Sequence, residues 1–236
     1  MLPISVCMIV KNEEKRLPVC LDSLRPYGFE IVIVDTGSAD KTKEVAARYT
    51  DKLFDFAWCG DFSTARNYSL RMASNPFIFM LDADEWVVSL DVEELQYFRK
   101  RLSAQVGVVT RQNFIGGQIG NTDPTERFFS RKHYHYEGRI HEQLRPLRGN
   151  DFPCLLTKTI IGHSGYDMTD AERAEKAKRN EEKAVKAADE RRRAAVERAE
   201  SEEYRRIHPL TEDEKAKNKA GYRTFLKEMC GLDLDK

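Results

Sequence analysis

Residues 1–168 predict an α/β domain built on a largely parallel sheet flanked by helices, and residues 169–236 a charged helical hairpin. Three observations carry this expectation. Short apolar, β-branched runs recur at 4–10, 31–34 and 77–81. Helical periodicity fills much of the chain between them. After about residue 168 the composition shifts to Ala, Glu, Lys and Arg. Apolar runs without polar alternation suit strands buried on both faces, as in a sheet covered by helices.

The elements follow in order. Ile-Ser-Val-Cys-Met-Ile-Val at 4–10 is the first strand. Leu17, Cys20, Leu21 and Leu24 stand at i, i+3, i+4 and i+7, which is one face of a helix. The run 31–34 is a second strand, Val45, Ala46 and Tyr49 mark a helix, and 52–56 is a short third strand. Ser63 can cap a helix running to Ala73, which Asn75-Pro76 ends. The run 77–81 is the next strand. Asp91-Val92-Glu93-Glu94 opens a helix with Leu95, Phe98 and Leu102 inward. Beyond Val106 the pattern loosens: 106–110, 126–130 and 155–161 read as strands, and the glycine-rich 113–120 as a mobile loop. His133, Tyr134, His135 and Tyr136 alternate as in a strand, without metal-ligand spacing. Trp58 and Trp86 read as core residues.

In the arm, Thr169-Asp170-Ala171-Glu172 is a capping box. Glu172/Lys176, Glu175/Arg179 and Glu182/Lys186 are favourable i,i+4 pairs. Pro209 ends this helix. Thr211-Glu212-Asp213-Glu214 opens a second, which carries Tyr222, Phe225, Leu226 and Met229 on one face and can end at Gly231. The arm is read as a solvated appendage, with docking or homodimer formation through these helices as the alternative.

Composition narrows the function. The chain has 236 residues, 41% hydrophobic, with 39 basic and 39 acidic side chains. This balance gives no sign of a nucleic acid partner. Five cysteines without a C-x-x-C pair argue against a disulfide framework and for a reducing compartment. The run at 4–10 is too short to span a bilayer and lacks the flanks of a signal peptide, so the expected location is cytoplasmic.

Three strand ends carry polar residues. The first runs into Lys11-Asn12-Glu13-Glu14, the second into Asp35-Thr36-Gly37-Ser38-Ala39-Asp40, and the strand at 77–81 into Asp82-Ala83-Asp84-Glu85. In an open parallel sheet, ligands bind beyond the carboxyl ends of strands. Asp35 can accept hydrogen bonds from a ribose or a base, and Gly37 lets the backbone approach. Two carboxylates one residue apart can share a hard divalent cation that also binds phosphate.

These segments, with Phe62-Ser63-Thr64-Ala65-Arg66-Asn67, resemble family 2 glycosyltransferases in words, order and spacing. The resemblance covers about residues 3–166. The branch it looks most like includes lipopolysaccharide-core glucosyltransferases and sublancin-type peptide S-glycosyltransferases. It implies a GT-A fold and an inverting, metal-dependent transfer from a nucleotide sugar, a UDP-sugar first, to a glycan, lipid-linked sugar or peptide. Carried over by position, Asn12, Glu13 and Asp35 line the nucleoside pocket; Gly37 and Ser38 are read with them as donor-binding, while Ser38 and Asp40 can also cap the next helix. Arg66, Asn67 and Ala83 lie near the nucleotide or donor sugar. Asp82 contacts ribose or metal, and Asp84 holds Mn²⁺ or Mg²⁺. His163, in Ile160-Ile161-Gly162-His163, stands where the family places a C-terminal metal ligand, and imidazole suits Mn²⁺. Arg127 faces the diphosphate or the acceptor.

An inverting transfer needs a base opposite the leaving group. Glu142, in Arg139-Ile140-His141-Glu142-Gln143, is the candidate. His141 either serves in its place or orients it. Two other readings compete. A sugar-phosphate nucleotidyltransferase would place a glycine-rich phosphate loop where Lys11-Asn12-Glu13-Glu14 stands. A degenerate scaffold would not need Asp82, Asp84, Glu142 and His163 together.

Overall fold

Residues 3–164 are described by the computed structural model. They build an eight-stranded sheet and a separate two-stranded hairpin. Three helices and a short helical turn accompany the first strands. The expected hairpin at 169–236 and its boundary lie outside the described residues.

The first half follows the apolar runs. β1 (Ser5–Val10), β2 (Glu30–Asp35), β3 (Leu53–Asp55) and β4 (Phe77–Met80) are mutually parallel, in the order β3-β2-β1-β4. Successive strand residues point to opposite faces. Val6, Met8 and Val10 of β1 and Phe77 and Phe79 of β4 pack with α1 (Leu17–Leu24) through Leu17, Cys20, Leu21 and Leu24. Cys7, Ile78 and Met80 face the other way, toward Leu70 of α3 (Phe62–Met72). Each such side chain contributes about 1.5–3 kcal/mol when fully buried. The short α2 (Thr42–Ala46) joins β2 to β3.

Two helix starts have identifiable caps. Asp91 accepts from the amides of Glu93 and Glu94 at the head of α4 (Val92–Arg101), as the sequence predicts. At α3 the cap is Asp61, which accepts from Thr64 N, while Ser63 is inside the helix and donates its hydroxyl to Asp61. Asp61 has the extended backbone of an N-cap, which moves the cap two residues ahead of the expected Ser63.

The second half is mixed. β5 (Glu85–Ser89) lies at the sheet edge, and the remaining order is β4-β7-β6-β10-β5. β6 (Val106–Ile115) and β7 (Gln118–Ser130) form one long antiparallel hairpin. The expected mobile loop at 113–120 is instead the end of this hairpin. Gly116 and Gly117 both have positive φ, 60° and 76°, which a tight two-residue hairpin turn demands. β10 (Cys154–His163) runs parallel to β6 and antiparallel to β5. Gly162 stands opposite Trp86 in the β10–β5 pairing, and a Cβ on it would lie 2.3 Å from the Trp86 ring. Trp86 is half-buried, tilted against Phe114, and Trp58 stacks edge-on to Phe62, so neither fills the deep core.

β8 (Tyr134–Glu137) and β9 (Gln143–Pro146) form the separate hairpin, and its residues Tyr134, Tyr136 and Leu144 are buried with Leu70 and Phe129. Among the described residues no helix is long and apolar enough to cross a membrane.

Candidate active site

The carboxyl ends of β1, β2 and β4 bring three polar segments together. At the first, Asn12 adopts φ 56°, a left-handed conformation Asn tolerates. Its Oδ1 accepts from Ala39 N at 2.8 Å, and its own amide donates to Ser38 Oγ at 2.9 Å. Glu13 N donates to Thr42 Oγ1 at 2.7 Å. Asn12, Glu13 and Ser38 thereby lace the β1 and β2 loops to each other. Buried Thr42 and half-buried Asp40 complete this lacing.

Asp35 ends β2 and is 1% exposed. Its Oδ1 accepts from the amides of Gly37 and Ser38, both at 2.9 Å, and Gly37 takes φ 101° to make that turn. Its Oδ2 is buried without a partner among the described residues. A buried carboxylate oxygen left unpaired is costly, so it calls for a hydrogen-bond donor.

Asp82-Ala83-Asp84-Glu85 is a closed turn between β4 and β5. Glu85 N donates to Asp82 O at 3.0 Å, and Asp82 N to Glu85 Oε2 at 3.1 Å. Ala83 is buried within it and offers only its backbone. The two aspartates have different surroundings. Asp82 Oδ1 accepts from Arg66 Nη2 at 2.8 Å and Oδ2 from Arg127 Nη2 at 3.2 Å. Burial alone would raise its pKa, but the two guanidinium groups outweigh it and hold Asp82 well below the usual carboxylate range. Asp82, expected to touch ribose or metal, thus accepts from two arginines, one on each oxygen. Glu85, fully buried, accepts from Arg127 at 2.5 Å, with Arg111 3.7 Å away. Arg111 in turn forms a two-pronged pair with Asp123, both contacts 2.9 Å.

Asp84 faces His163 instead, with Oδ2 3.4 Å from Nε2. His163 Nδ1 lies 2.8 Å from Asn113 Oδ1, and the Asn113 amide nitrogen donates to Asp123. That orientation of Asn113 makes Nδ1 the protonated nitrogen and turns Nε2 toward Asp84. A hydrogen bond of this kind, on the ring nitrogen turned away from the ion, fixes a ligating histidine. Among the described residues no set of three His, Cys, Asp or Glu side chains is grouped for a metal. Asp84 and His163 fit a divalent ion that takes its other ligands from water and phosphate.

Glu142 closes the β8–β9 loop, and its Oε1 accepts from Arg66 Nε at 2.7 Å. Arg66 is 8% exposed and lies over the Tyr136 ring, 5.5 Å from its centroid. Its pKa is raised: burial opposes the charge, but Asp82, Tyr136 and Glu142 override it. One guanidinium thus joins Asp82 at the end of β4 to Glu142 on the hairpin. Asn67, expected near the nucleotide or donor sugar, engages the backbone of Tyr136. Its Nδ2 donates to Tyr136 O at 2.8 Å and its Oδ1 accepts from Tyr136 N at 2.9 Å. Phe62 N also donates to Arg139 O at 3.0 Å. The segment at 62–67 is therefore a dock for the hairpin that carries Glu142. His141 is exposed, with φ 60°, and belongs to the turn that sets Glu142.

Beside Glu142 lies a cavity of about 450 Å³ whose wall includes Arg66, Arg127 and Tyr136. Sequence reasoning missed Glu85, Arg111, Asn113 and Tyr136. A buried glutamate beside an aspartate needs a cation, but the positions of Arg111 and Arg127 opposite it are set by the β6–β7 register, which the sequence does not display.

Residues 5–160 match the family model for glycosyl transferase family 2. A TPR repeat-containing protein of Synechococcus elongatus is 33% identical over 173 residues, 70% of this chain and 43% of that protein. The SPbeta prophage-derived glycosyltransferase SunS of Bacillus subtilis is 25% identical over 184 residues, 73% of this chain and 42% of that protein. The chain spans less than half the length of these curated relatives. The crystal structure of S. aureus TarS 1–349 in complex with UDP aligns at TM-score 0.43 and 22% identity, over 50% of this chain and 38% of that one. The family match covers nearly every strand that builds the site, and on it the chain belongs to glycosyl transferase family 2 and carries its GT-A fold.

Proposed function

We propose that this chain is an inverting glycosyltransferase that moves a sugar from a nucleotide-sugar donor, a UDP-sugar, to the hydroxyl of a saccharide, lipid-linked or peptide acceptor. The observation that carries the reading is the link Asp82–Arg66–Glu142, 2.8 and 2.7 Å. It sets a carboxylate on the hairpin at a fixed place beside the carboxyl end of β4, where a nucleotide donor would bind.

Each residue then has a task. Asp35 Oδ2 accepts from a ribose hydroxyl or from the N3–H of uracil, both donors. Gly37 keeps the β2 loop open to the nucleoside. Asp84 and His163 would hold Mn²⁺ or Mg²⁺, which supplies positive charge against the leaving diphosphate. Asp82 orients Arg66 and Arg127. Glu142 takes the proton of the acceptor hydroxyl as its oxygen attacks the anomeric carbon. The bond to the diphosphate breaks, and its electron pair leaves on the phosphate oxygen. Attack opposite the leaving group inverts the anomeric centre. Arg66 holds and aims Glu142, and a positioned base is worth about 10²–10⁴-fold.

Residues 169–236 belong, on this reading, to acceptor recognition or to homodimer formation. The test of the donor assignment is a thermal-shift series of UDP-sugars with and without Mn²⁺. A ligand at 100 times its Kd stabilises by about 2.7 kcal/mol. A metal-dependent shift supports the reading, and no shift with any nucleotide sugar contradicts it.

A further inference from the structure

We infer that Asp123 is a positioning residue for the divalent ion: through Asn113 it fixes which nitrogen of His163 carries the proton, and so leaves Nε2 bare toward Asp84. The inference rests on the metal assignment of Asp84 and His163 above and deepens it.

The strands set the side chains in line. Arg111 and Asp123 are cross-strand partners in the β6–β7 hairpin, and Asn113 follows Arg111 on the same face of β6. His163 stands opposite Asn113 in the β10–β6 pairing and opposite Glu85 in the β10–β5 pairing. Its backbone is thereby held on both sides, and the next residue, Ser164, donates its amide to Asp84 O at 3.0 Å. This register brings the imidazole to Asp84. It does not decide which ring nitrogen is protonated.

Hydrogen-bond polarity decides it. A guanidinium only donates, and Arg111 gives Nε to Asp123 Oδ1 and Nη2 to Oδ2, both at 2.9 Å. These bonds hold the Asp123 carboxyl below its usual range against partial burial, so Asp123 only accepts. Asn113 is fully buried, and both ends of a buried amide need partners. With a carboxylate oxygen 3.2 Å away, Asn113 must turn its nitrogen to Asp123. Its oxygen is then left for His163 Nδ1 at 2.8 Å, and a carbonyl oxygen can only accept. Nδ1 therefore donates, and in the neutral ring Nε2 carries a lone pair. That lone pair meets Asp84 Oδ2 across 3.4 Å. Two acceptors so placed need a cation between them, and a metal ion requires the neutral ring. The reverse orientation of Asn113 would set oxygen against carboxylate at one end. At the other it would put the proton on Nε2, where it blocks coordination.

The experiment uses the full chain. Long-range ¹H–¹⁵N spectra of the histidine-labelled, metal-free protein are recorded at pH about 9, well above the ordinary imidazole pKa of about 6.5. The His163 signal is identified by its loss in His163→Gln. Wild type should show the Nδ1–H tautomer, and Asp123→Ala a mixture of the two. Calorimetry with UDP, with and without Mn²⁺, is run on the same proteins. Asp123→Ala should weaken the Mn²⁺-dependent binding about 10- to 100-fold, the usual cost of losing such an outer hydrogen bond, and leave metal-free binding unchanged. The exchanged pair Asn113→Asp/Asp123→Asn keeps an oxygen toward Nδ1 and another toward Arg111, and should restore both the tautomer and the Mn²⁺ effect. An Nε2–H tautomer in wild type overturns the proposal. So does an Asp123→Ala protein that matches wild type, or an exchanged pair as weak as Asp123→Ala. If Asp123→Ala does not fold, the wild-type tautomer and the exchanged pair decide. Absence of any Mn²⁺ effect on wild-type UDP binding contradicts the metal assignment itself, whereas the tautomer, read without metal, reports on Asp123 separately.

Discussion

Asn67→Asp separates a dock from a donor contact. Asn67 holds Tyr136 by two hydrogen bonds, 2.8 and 2.9 Å, one to the carbonyl and one from the amide. Aspartate keeps the shape and the acceptor but replaces the donating nitrogen with a second oxygen. Tyr136 O, on a buried residue, then loses its donor and faces negative charge. Leaving a buried acceptor unsatisfied costs about 1–3 kcal/mol, and the opposed charge adds to it. In a protein of this size each kcal/mol lowers Tm by about 2–4 °C, so a loss of about 5–10 °C is expected. The hairpin carrying Glu142 should also shift. A misplacement of about 1 Å can cost 10²-fold in rate, so kcat should fall by about 10- to 100-fold. Donor Kd should stay within about twofold. Calorimetry with UDP and a transfer assay read both quantities. A donor Kd weakened more than about tenfold at unchanged kcat would refute the argument and return Asn67 to the donor site.

Three further outcomes are expected. Asp84→Asn should remove the metal dependence of UDP binding while Tm without ligand stays within a few degrees; a full Mn²⁺ effect in the variant would exclude Asp84 from the metal site. Glu30 has its carboxyl lowered to about 2: burial opposes ionisation, but hydrogen bonds from Lys52, Ser5 and Ser74 prevail. A depressed pKa gives stability that is full above the unfolded value of about 4.3 and is lost as pH falls toward the folded value of about 2. Glu30→Gln should therefore destabilise at pH 7 by about 1–3 kcal/mol and flatten the pH dependence of Tm between those values; parallel Tm curves for the two proteins would contradict this. Gly162→Ala sets a methyl 2.3 Å from Trp86 and should cost about 1–3 kcal/mol by chemical denaturation, with UDP affinity retained; wild-type stability would show that the β5–β10 pairing yields easily.

What the sequence displays and what it hides divide along physical lines. β1, β2 and β4 were legible because strands buried on both faces need uninterrupted apolar runs. The head of α4 was legible because Asp91 caps it locally. The glycines at 116 and 117 suit a loop and a tight hairpin alike, and only the pairing of β6 with β7 decides. β5 was missed because Glu85 reads as the end of an acidic motif, although it begins a strand. Asp35 and Asp84 could be named as candidates because carboxylates follow apolar strands there, and His163 because its segment resembles the family's. The union of Arg66, Asp82, Arg127 and Glu142 could not. Its members are brought together by the sheet order and by a hairpin docked on α3, over sequence separations of 16, 45 and 76.

The central claim is that Glu142 is the base that activates the acceptor. Its direct test is Glu142→Gln, which keeps the hydrogen-bonding shape and removes the basicity. The measurement is kcat for transfer beside donor Kd on the same preparation, with His141→Ala in parallel. The account predicts a fall in kcat of about 10²–10⁴-fold for Glu142→Gln, with donor Kd unchanged and a smaller effect for His141→Ala. An unchanged kcat in Glu142→Gln, or the larger loss in His141→Ala, would contradict it.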